Sequence, residues 1–307
     1  MTEARSLCGI FPIVPTIFGA DGQVDEAGQR ATVDFLLRGG VHGMVVLANA
    51  SEGFTVSDDE RPRVITCVLR QVEGRVPVVV TCNHPSTVVA VRYALEAQDL
   101  GAAGVMFLPP FFGQWTSDLD GIFRHCEVIS RRTVVPLILQ DHPLSGITMP
   151  APFLVDLARR IERLAYFKVE TVRSPEKIGQ MRRLAAGGIE GIFGGGGGIL
   201  FLEELEQGAA GTMPSSLLPE VFVRVLDLYR RGNREDAAKF FTRYLPLLNF
   251  ETYLGGYRAA KERLALSGAI RSAFVRGPIR STWDDQTVQT FRRMIADLDL
   301  GALTGTS

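Results

Sequence analysis

Lysine is scarce in this chain. Lys168, Lys177, Lys239 and Lys261 are the four lysines in 307 residues, against twenty-nine arginines. Where only a positive charge is needed, the chain uses arginine, so a lysine inside an apolar run points to the chemistry of the amine itself. Cysteine is equally sparse. Cys8, Cys67, Cys82 and Cys126 lie far apart without C-x-x-C spacing. That argues against a zinc knuckle or a disulfide framework, and reduced core thiols are expected. The net charge is -1 and there is no basic block, so neither nucleic acid nor an anionic membrane surface is expected as a partner. No apolar run reaches the roughly 18 residues of a membrane span, and the N-terminus has no secretory pattern, so a cytoplasmic protein is expected.

What is present is alternation. Short apolar, β-branched runs at Gly9–Phe18, Gly43–Leu47, Val76–Cys82, Gly104–Leu108, Val135–Leu139, Leu164–Val169, Ile189–Phe193 and Ala210–Met213 are separated by amphipathic stretches. The pattern G-x-x-G recurs at the strand starts Gly40–Gly43, Gly101–Gly104, Gly188–Gly191 and Gly208–Gly211, where one glycine ends a helix and the next opens a strand. Ser57 and Glu60 form a capping-box signature. Eight strand–helix units of about thirty residues imply a parallel sheet, which closes most naturally into an α/β (β/α)8 TIM barrel. A doubly wound open sheet is the alternative, but F-G-A-D-G-Q-V-D after the first run is no dinucleotide fingerprint. Four amphipathic stretches, Glu220–Arg231, Arg234–Leu248, Glu251–Leu266 and Asp285–Leu298, predict a C-terminal helical extension. The expected division is a barrel over 1–231 and a helical region over 232–307.

The segment L-A-Y-F-K-V-E-T, Leu164–Thr171, places Lys168 in the middle of a buried strand with Glu170 on the same face. A buried lysine must pair or give up its proton. Desolvation can bring an amine from about 10.4 toward roughly 7 to 8, enough to attack a ketone and form an imine. The imine is an electron sink, and it needs no metal or organic cofactor; none is expected. An ion pair with Glu170 is the plain structural alternative. The C-terminal ends of barrel strands carry the chemistry, which also selects Asn49–Glu52, Pro109–Phe112, Gln140–His142 and Gly194–Gly198. No G-K-[ST] follows the glycine run, so it reads as a substrate-facing loop rather than a phosphate cradle. His84 and His142 lack metal-ligand spacing and read as loop residues. Lys177, Lys239 and Lys261 fall in charged helical stretches and read as solvated.

The motifs G-M-V-V-L-A-N-A-S-E-G-F-T-V-S-D-D-E-R, V-M-F-L-P-P-F-F, P-L-I-L-Q-D-H-P-L-S-G and Y-F-K-V-E-T together resemble the N-acetylneuraminate lyase and dihydrodipicolinate synthase superfamily over essentially the whole length. That resemblance implies a (β/α)8 barrel with three extra C-terminal helices, a homotetramer, and Lys168 as the imine-forming residue. Several positions depart from the usual pattern. Ala48, Asn49, Ala50, Ser51 and Glu52 replace the G-T-T-G-E loop that holds the substrate carboxylate, leaving backbone donors plus Asn49 and Ser51. Gln140 replaces the proton-relay tyrosine, and an amide cannot act as acid or base. Phe112 replaces the tyrosine given by a neighbouring subunit. Pro143–Gly146 lacks the arginine that the synthase uses for aspartate semialdehyde.

Within the superfamily, the set A-N-x-S-E, L-Q-D-x-P-x-S-G and Y-F-K-x-E-T is similar to the L-2-keto-3-deoxyarabonate dehydratase-like members, from which the Gly194–Gly198 loop differs. The resemblance implies a lyase acting on a small 2-keto acid, pyruvate or a 2-keto-3-deoxy sugar acid, with dehydration preferred. Lys168, Glu170 and Gln140 are the expected catalytic set, with Asn49, Ala50, Ser51, Phe112, Gly194 and Gly195 binding substrate. Glu52 is a second acid/base candidate, with a helix-facing or loop-capping carboxylate as its structural reading. A pyruvate-dependent aldolase or synthase, a keto-acid-binding barrel without catalysis and a metal-dependent lyase are the alternatives.

Overall fold

The structure, a computed structural model, describes residues 6–112, 115–279, 281–298 and 300; the side chains of 112–116 lie outside that set. The chain runs through β1 (Gly9–Ile10), α1 (Glu26–Arg38), β2 (Met44–Val46), α2 (Arg61–Val72), β3 (Val78–Thr81), α3 (Thr87–Asp99) and β4 (Gly104–Phe107). A hairpin of β5 (Phe111–Phe112) and β6 (Trp115–Thr116) precedes α4 (Leu119–Arg132) and β7 (Leu137–Asp141). There follow α5 (Ala151–Arg160), β8 (Leu164–Val169), α6 (Ser174–Ala185), β9 (Gly191–Gly194), α7 (Phe201–Glu206), β10 (Gly211–Thr212) and α8 (Pro219–Arg230). The C-terminal elements are α9 (Arg234–Thr242), α10 (Leu245–Phe250), a π-helical turn Glu251–Gly255, α11 (Gly256–Leu266) and α12 (Asp285–Ala296). Eight strands form one sheet in the order β1-β10-β9-β8-β7-β4-β3-β2. Alternating strands and helices around such a sheet make the (β/α)8 barrel, with helices continuing beyond it.

Two compact units divide the chain. The first, built on 77–196 and 200–213, carries the parallel run from β3 to β10. Its strands are buried along their lengths and read as continuous apolar runs, as parallel strands covered on both faces should. Val80, Val105, Phe107, Ile138, Phe167 and Ile192 are fully buried, each stabilising the fold by about 1.5–3 kcal/mol. The expected strand at Val135–Leu139 sits further along: β7 ends at Asp141, because Gln140 and Asp141 pair in register with Lys168 and Val169.

The second unit, built on 9–76, 197–199 and the chain from 214 onward, holds β1, β2 and the C-terminal helices. The ten-residue strand expected at Gly9–Phe18 shrinks to Gly9–Ile10, with Ile13 making isolated bridges to Val45 and Ser215. Pro12 and Pro15 have no N–H to give a ladder. The capping box is present: Ser57 N donates to Glu60 Oε2 at 3.0 Å and Glu60 N to Ser57 Oγ at 3.4 Å. The single helix expected over Arg234–Leu248 is two, α9 and α10, with Pro246 in the first turn of the second. Cys67, Cys82 and Cys126 are buried, but Cys8 is exposed, against the expectation of a core thiol.

Candidate active site

The first unit builds a polar cluster on the buried strand β8. Lys168 is 3% exposed, beside Gln140 on β7 and Phe193 on β9 in register. Parallel neighbours in register send their side chains to the same face, so Gln140 joins Lys168 and, two residues on, Glu170. Glu170 is held on three sides. Its Oε1 lies 3.2 Å from Lys168 Nζ and accepts from Gly196 N at 2.8 Å, and its Oε2 accepts from Gln140 Nε2 at 2.5 Å. Burial pushes the Glu170 carboxyl up, but the Lys168 charge, His142, the Gly196 amide and the Gln140 amide together hold it below its ordinary value. The result is a dry carboxylate beside a dry amine. Gln140 Oε1 finds no partner among the described residues, so this 2%-exposed amide has an acceptor to offer a ligand hydroxyl.

Two glycines make room for two carboxyl groups. A Cβ added at Gly195 would overlap the Glu170 carboxyl, and one at Gly194 would overlap that of Glu204 from α7. Glu204 is 1% exposed, and its Oε1 accepts from Ser174 Oγ at 2.7 Å. Sequence reasoning missed it, because F-L-E-E-L-E reads as an acidic surface helix. Lys177, expected to be solvated, is not: its Nζ lies 2.5 Å from Asp141 Oδ2, whose side chain is 0% exposed, and Thr171 Oγ1 donates to the same oxygen at 3.0 Å. Lys239, with its side chain 69% exposed, is solvated as expected.

In the second unit, Asn49–Ser51 form one tight helical turn after β2. Ala50 is exposed, Asn49 half-buried and Ser51 buried. Ser51 O accepts from Thr16 N at 3.3 Å, while Ser51 Oγ has no partner among the described residues. Glu52, the second acid/base candidate, is engaged elsewhere. It is fully buried, pairs with the fully buried Lys261, and accepts from Arg276 N at 2.9 Å. Burial pushes the Glu52 carboxyl up and the Lys261 ammonium down, and each charge opposes the other's shift. Lys261 also donates to Phe274 O at 2.8 Å and lies 4.8 Å from the Phe18 ring centre. The solvated reading of Lys261 is therefore wrong, and Glu52 takes its loop-holding alternative.

Phe112 has its backbone in β5, and its side chain lies outside the described residues. His84 and His142 each accept from the backbone two residues on, at Ser86 and Leu144. Among the described residues no group of three His, Cys, Asp or Glu is placed to hold a metal ion.

Residues 6–297 match the family model of the dihydrodipicolinate synthetase family. The L-2-keto-3-deoxyarabonate dehydratase of Azospirillum brasilense is 40% identical over 272 residues, 88% of each chain. The 4-hydroxy-tetrahydrodipicolinate synthase of Syntrophobacter fumaroxidans is 28% identical over 88% of this chain and 92% of its own. Among solved structures, the dihydrodipicolinate synthase of Rhodopseudomonas palustris superimposes with a TM-score of 0.88 at 27% identity, covering 95% of this chain and 98% of its own. A whole-length family match and a whole-length barrel similarity agree with the buried strand lysine, and the chain is a lyase that belongs to the dihydrodipicolinate synthetase family.

Proposed function

We propose that the chain is a Schiff-base dehydratase acting on a 2-keto-3-deoxy sugar acid, with Lys168 as the nucleophile. The observation that carries this reading is the Lys168–Glu170–Gln140 cluster, in which a buried amine has a carboxylate, and an amide in place of a hydroxyl relay, as its neighbours. The 40% identity to a dehydratase supports the same choice over the synthases. Asn49, Ala50 and Ser51 are assigned to the substrate carboxylate and Gly194 and Gly195 to the space beside Glu170; Phe112 is assigned to substrate binding, and its side chain lies outside the described residues.

The steps balance as follows. Lys168 gives up a proton, for which Glu170 is the nearest base, and its amine adds to the C2 ketone with loss of water to form an iminium. The Glu170 carboxylate takes a C3 proton and passes it to the departing C4 hydroxyl, which leaves as water. The conjugated iminium then loses a C5 proton and regains one at C3. That shift gives a terminal enol, which is an aldehyde after tautomerisation, and hydrolysis frees Lys168. Gln140 takes no proton and orients Glu170.

A pyruvate-dependent aldolase or synthase is the second reading, supported by the synthase relatives. A homotetramer, which rests on the family, and a cytoplasmic location and a boundary between barrel and helical region at 231/232, which rest on the sequence pattern, belong to the same proposal. Among the described residues no helix is long and apolar enough to cross a membrane. The test is incubation with a 2-keto-3-deoxy pentonate and analysis of the products. A dehydrated keto-acid semialdehyde supports the proposal, whereas pyruvate plus an aldehyde overturns it.

A further inference from the structure

The proposed reaction uses Glu170 but leaves a second buried carboxyl beside it without a task. Glu204 sits in the first turn of α7, 1% exposed. Its carboxyl occupies the space over Gly194 that any side chain there would fill, as Glu170 does over Gly195. The next residue, Gly196, gives its N–H to Glu170 at 2.8 Å. Three consecutive residues at the end of β9 therefore touch both carboxyl groups. Ser174 Oγ donates to Glu204 Oε1 at 2.7 Å, and Glu204 Oε2 has no partner among the described residues.

The charges around Glu204 leave it without a cation. Glu170 from the end of β8 and Glu203 from its own helix act on it, both favouring the protonated form. From α6, Lys177 is committed to Asp141, and Arg182 to the carbonyls of Gly208 and Ile189. β10, which also packs against α7, consists of Gly211 and Thr212 and carries no charge. Two buried carboxylates that share one glycine segment cannot both ionise cheaply. Lys168 neutralises Glu170, so the proton falls to Glu204. Burial pushes the Glu204 carboxyl up to about 8, with Glu170 adding to the rise and the Ser174 hydroxyl and Gly195 amide opposing it.

We propose that Glu204 is a positioning residue: as a neutral acid it fills the space over Gly194 and holds the Gly194–Gly196 segment, so that Glu170 stays the one ionised carboxyl beside Lys168. This rests on Lys168 and Glu170 carrying the reaction proposed above. Ionising Glu204 places a second negative charge against Glu170 and pushes the segment away from it, which lowers the rate without removing the nucleophile.

The test compares wild type, Glu204→Ala, Glu204→Gln and Ser174→Ala. The dehydration rate is followed from pH 6 to 10 with a 2-keto-3-deoxy pentonate, alongside borohydride trapping of pyruvate on Lys168. Wild-type kcat is expected to fall above about pH 8 through one ionisation. Glu204→Ala should lose on the order of tenfold to a hundredfold at pH 7, as expected for a misplaced reacting group. Glu204→Gln, which imitates the neutral acid, should recover most of that loss and remove the alkaline fall. Ser174→Ala removes a donor that favours the ionised form, so its alkaline limb should move to higher pH; this variant keeps the test available if the Glu204 variants do not fold. An alkaline limb unmoved in folded Glu204→Gln, or unmoved in Ser174→Ala, overturns the proposal. Failure to trap pyruvate on wild-type Lys168 at any pH instead overturns the imine reading on which it rests.

Discussion

Glu170 Oε1 lies 3.2 Å from Lys168 Nζ, two residues on and just past the end of β8. The two-residue repeat of a strand brings both groups to one face, where a one-residue spacing would send them to opposite faces. Gln140 and Gly196 then fix the carboxylate from β7 and from the end of β9, so its direction does not depend on the lysine alone. In the proposed reaction the carboxylate keeps these two partners when the amine becomes an imine.

Glu170→Gln should separate imine formation from dehydration. The amide keeps the shape but takes no proton, so Lys168 must give its proton to water: imine formation slows, yet borohydride should still trap pyruvate on Lys168 at equilibrium, while the dehydration rate falls by roughly 10²–10⁴-fold, the usual share of a positioned base. Dehydration within about threefold of wild type would remove Glu170 from the proton path.

Gln140→Leu removes the shortest bond to Glu170 and one of the influences holding its carboxyl down. The Glu170 carboxyl should then titrate higher, and the acid limb of the rate profile should move to higher pH. A hydrogen bond to a charged group is worth about 1.5–3 kcal/mol, so a loss of roughly ten- to a hundredfold is expected at neutral pH. An unmoved acid limb would show that Gln140 does not act through Glu170.

The buried strand of Lys168 was legible because its contradiction is local: one amine in an apolar run of six, with a carboxylate at the same parity. Gln140 was legible as a departure from the family's tyrosine. Glu204 was not, since Glu203, Glu204 and Glu206 look alike in sequence and only the packing of α7 against Gly194 singles one out. The scarcity of lysine extends to two further buried pairs. Lys177 and Lys261 sit in helices with charged neighbours, which suggests solvent, yet each ends at a fully buried carboxylate, as Lys168 ends at Glu170. Only Lys239 is an ordinary surface residue. The short first strand had its own signal in Pro12 and Pro15, and the break between α9 and α10 had one in Pro246.

Lys261→Met should show how much the Glu52 pair matters to the second unit. It leaves a fully buried carboxyl without its cation, which costs about 3–5 kcal/mol in comparable cases. Urea denaturation should register that loss, and Glu52→Gln in the same chain should restore part of it. A loss under about 1 kcal/mol would mean that Arg276 and the surrounding amides suffice for Glu52.

Two buried carboxyls, Glu251 and Glu204, should each contribute a loss of stability as the pH rises from about 4.5 to 8. Burial pushes Glu251 up to about 7 against the hydroxyl of Ser215, and Glu204 up to about 8. The folded chain thus keeps protons that the unfolded chain releases near 4.5, and a state that binds more protons loses stability as pH rises. Glu251→Gln should flatten the slope between about pH 4.5 and 7 and raise the melting temperature at pH 8 relative to wild type. An unchanged slope would contradict the assignment of a buried, protonated Glu251.

The central claim is that Lys168 forms the imine. Wild-type protein and Lys168→Arg are incubated with pyruvate and with a 2-keto-3-deoxy pentonate, reduced with borohydride, digested and mapped by mass spectrometry. The expected result is one reduced adduct on the peptide carrying Lys168 in wild type with both compounds, and none in Lys168→Arg. Dehydration by wild type with no adduct on Lys168, or an adduct on Lys177 or Lys261 instead, would contradict it.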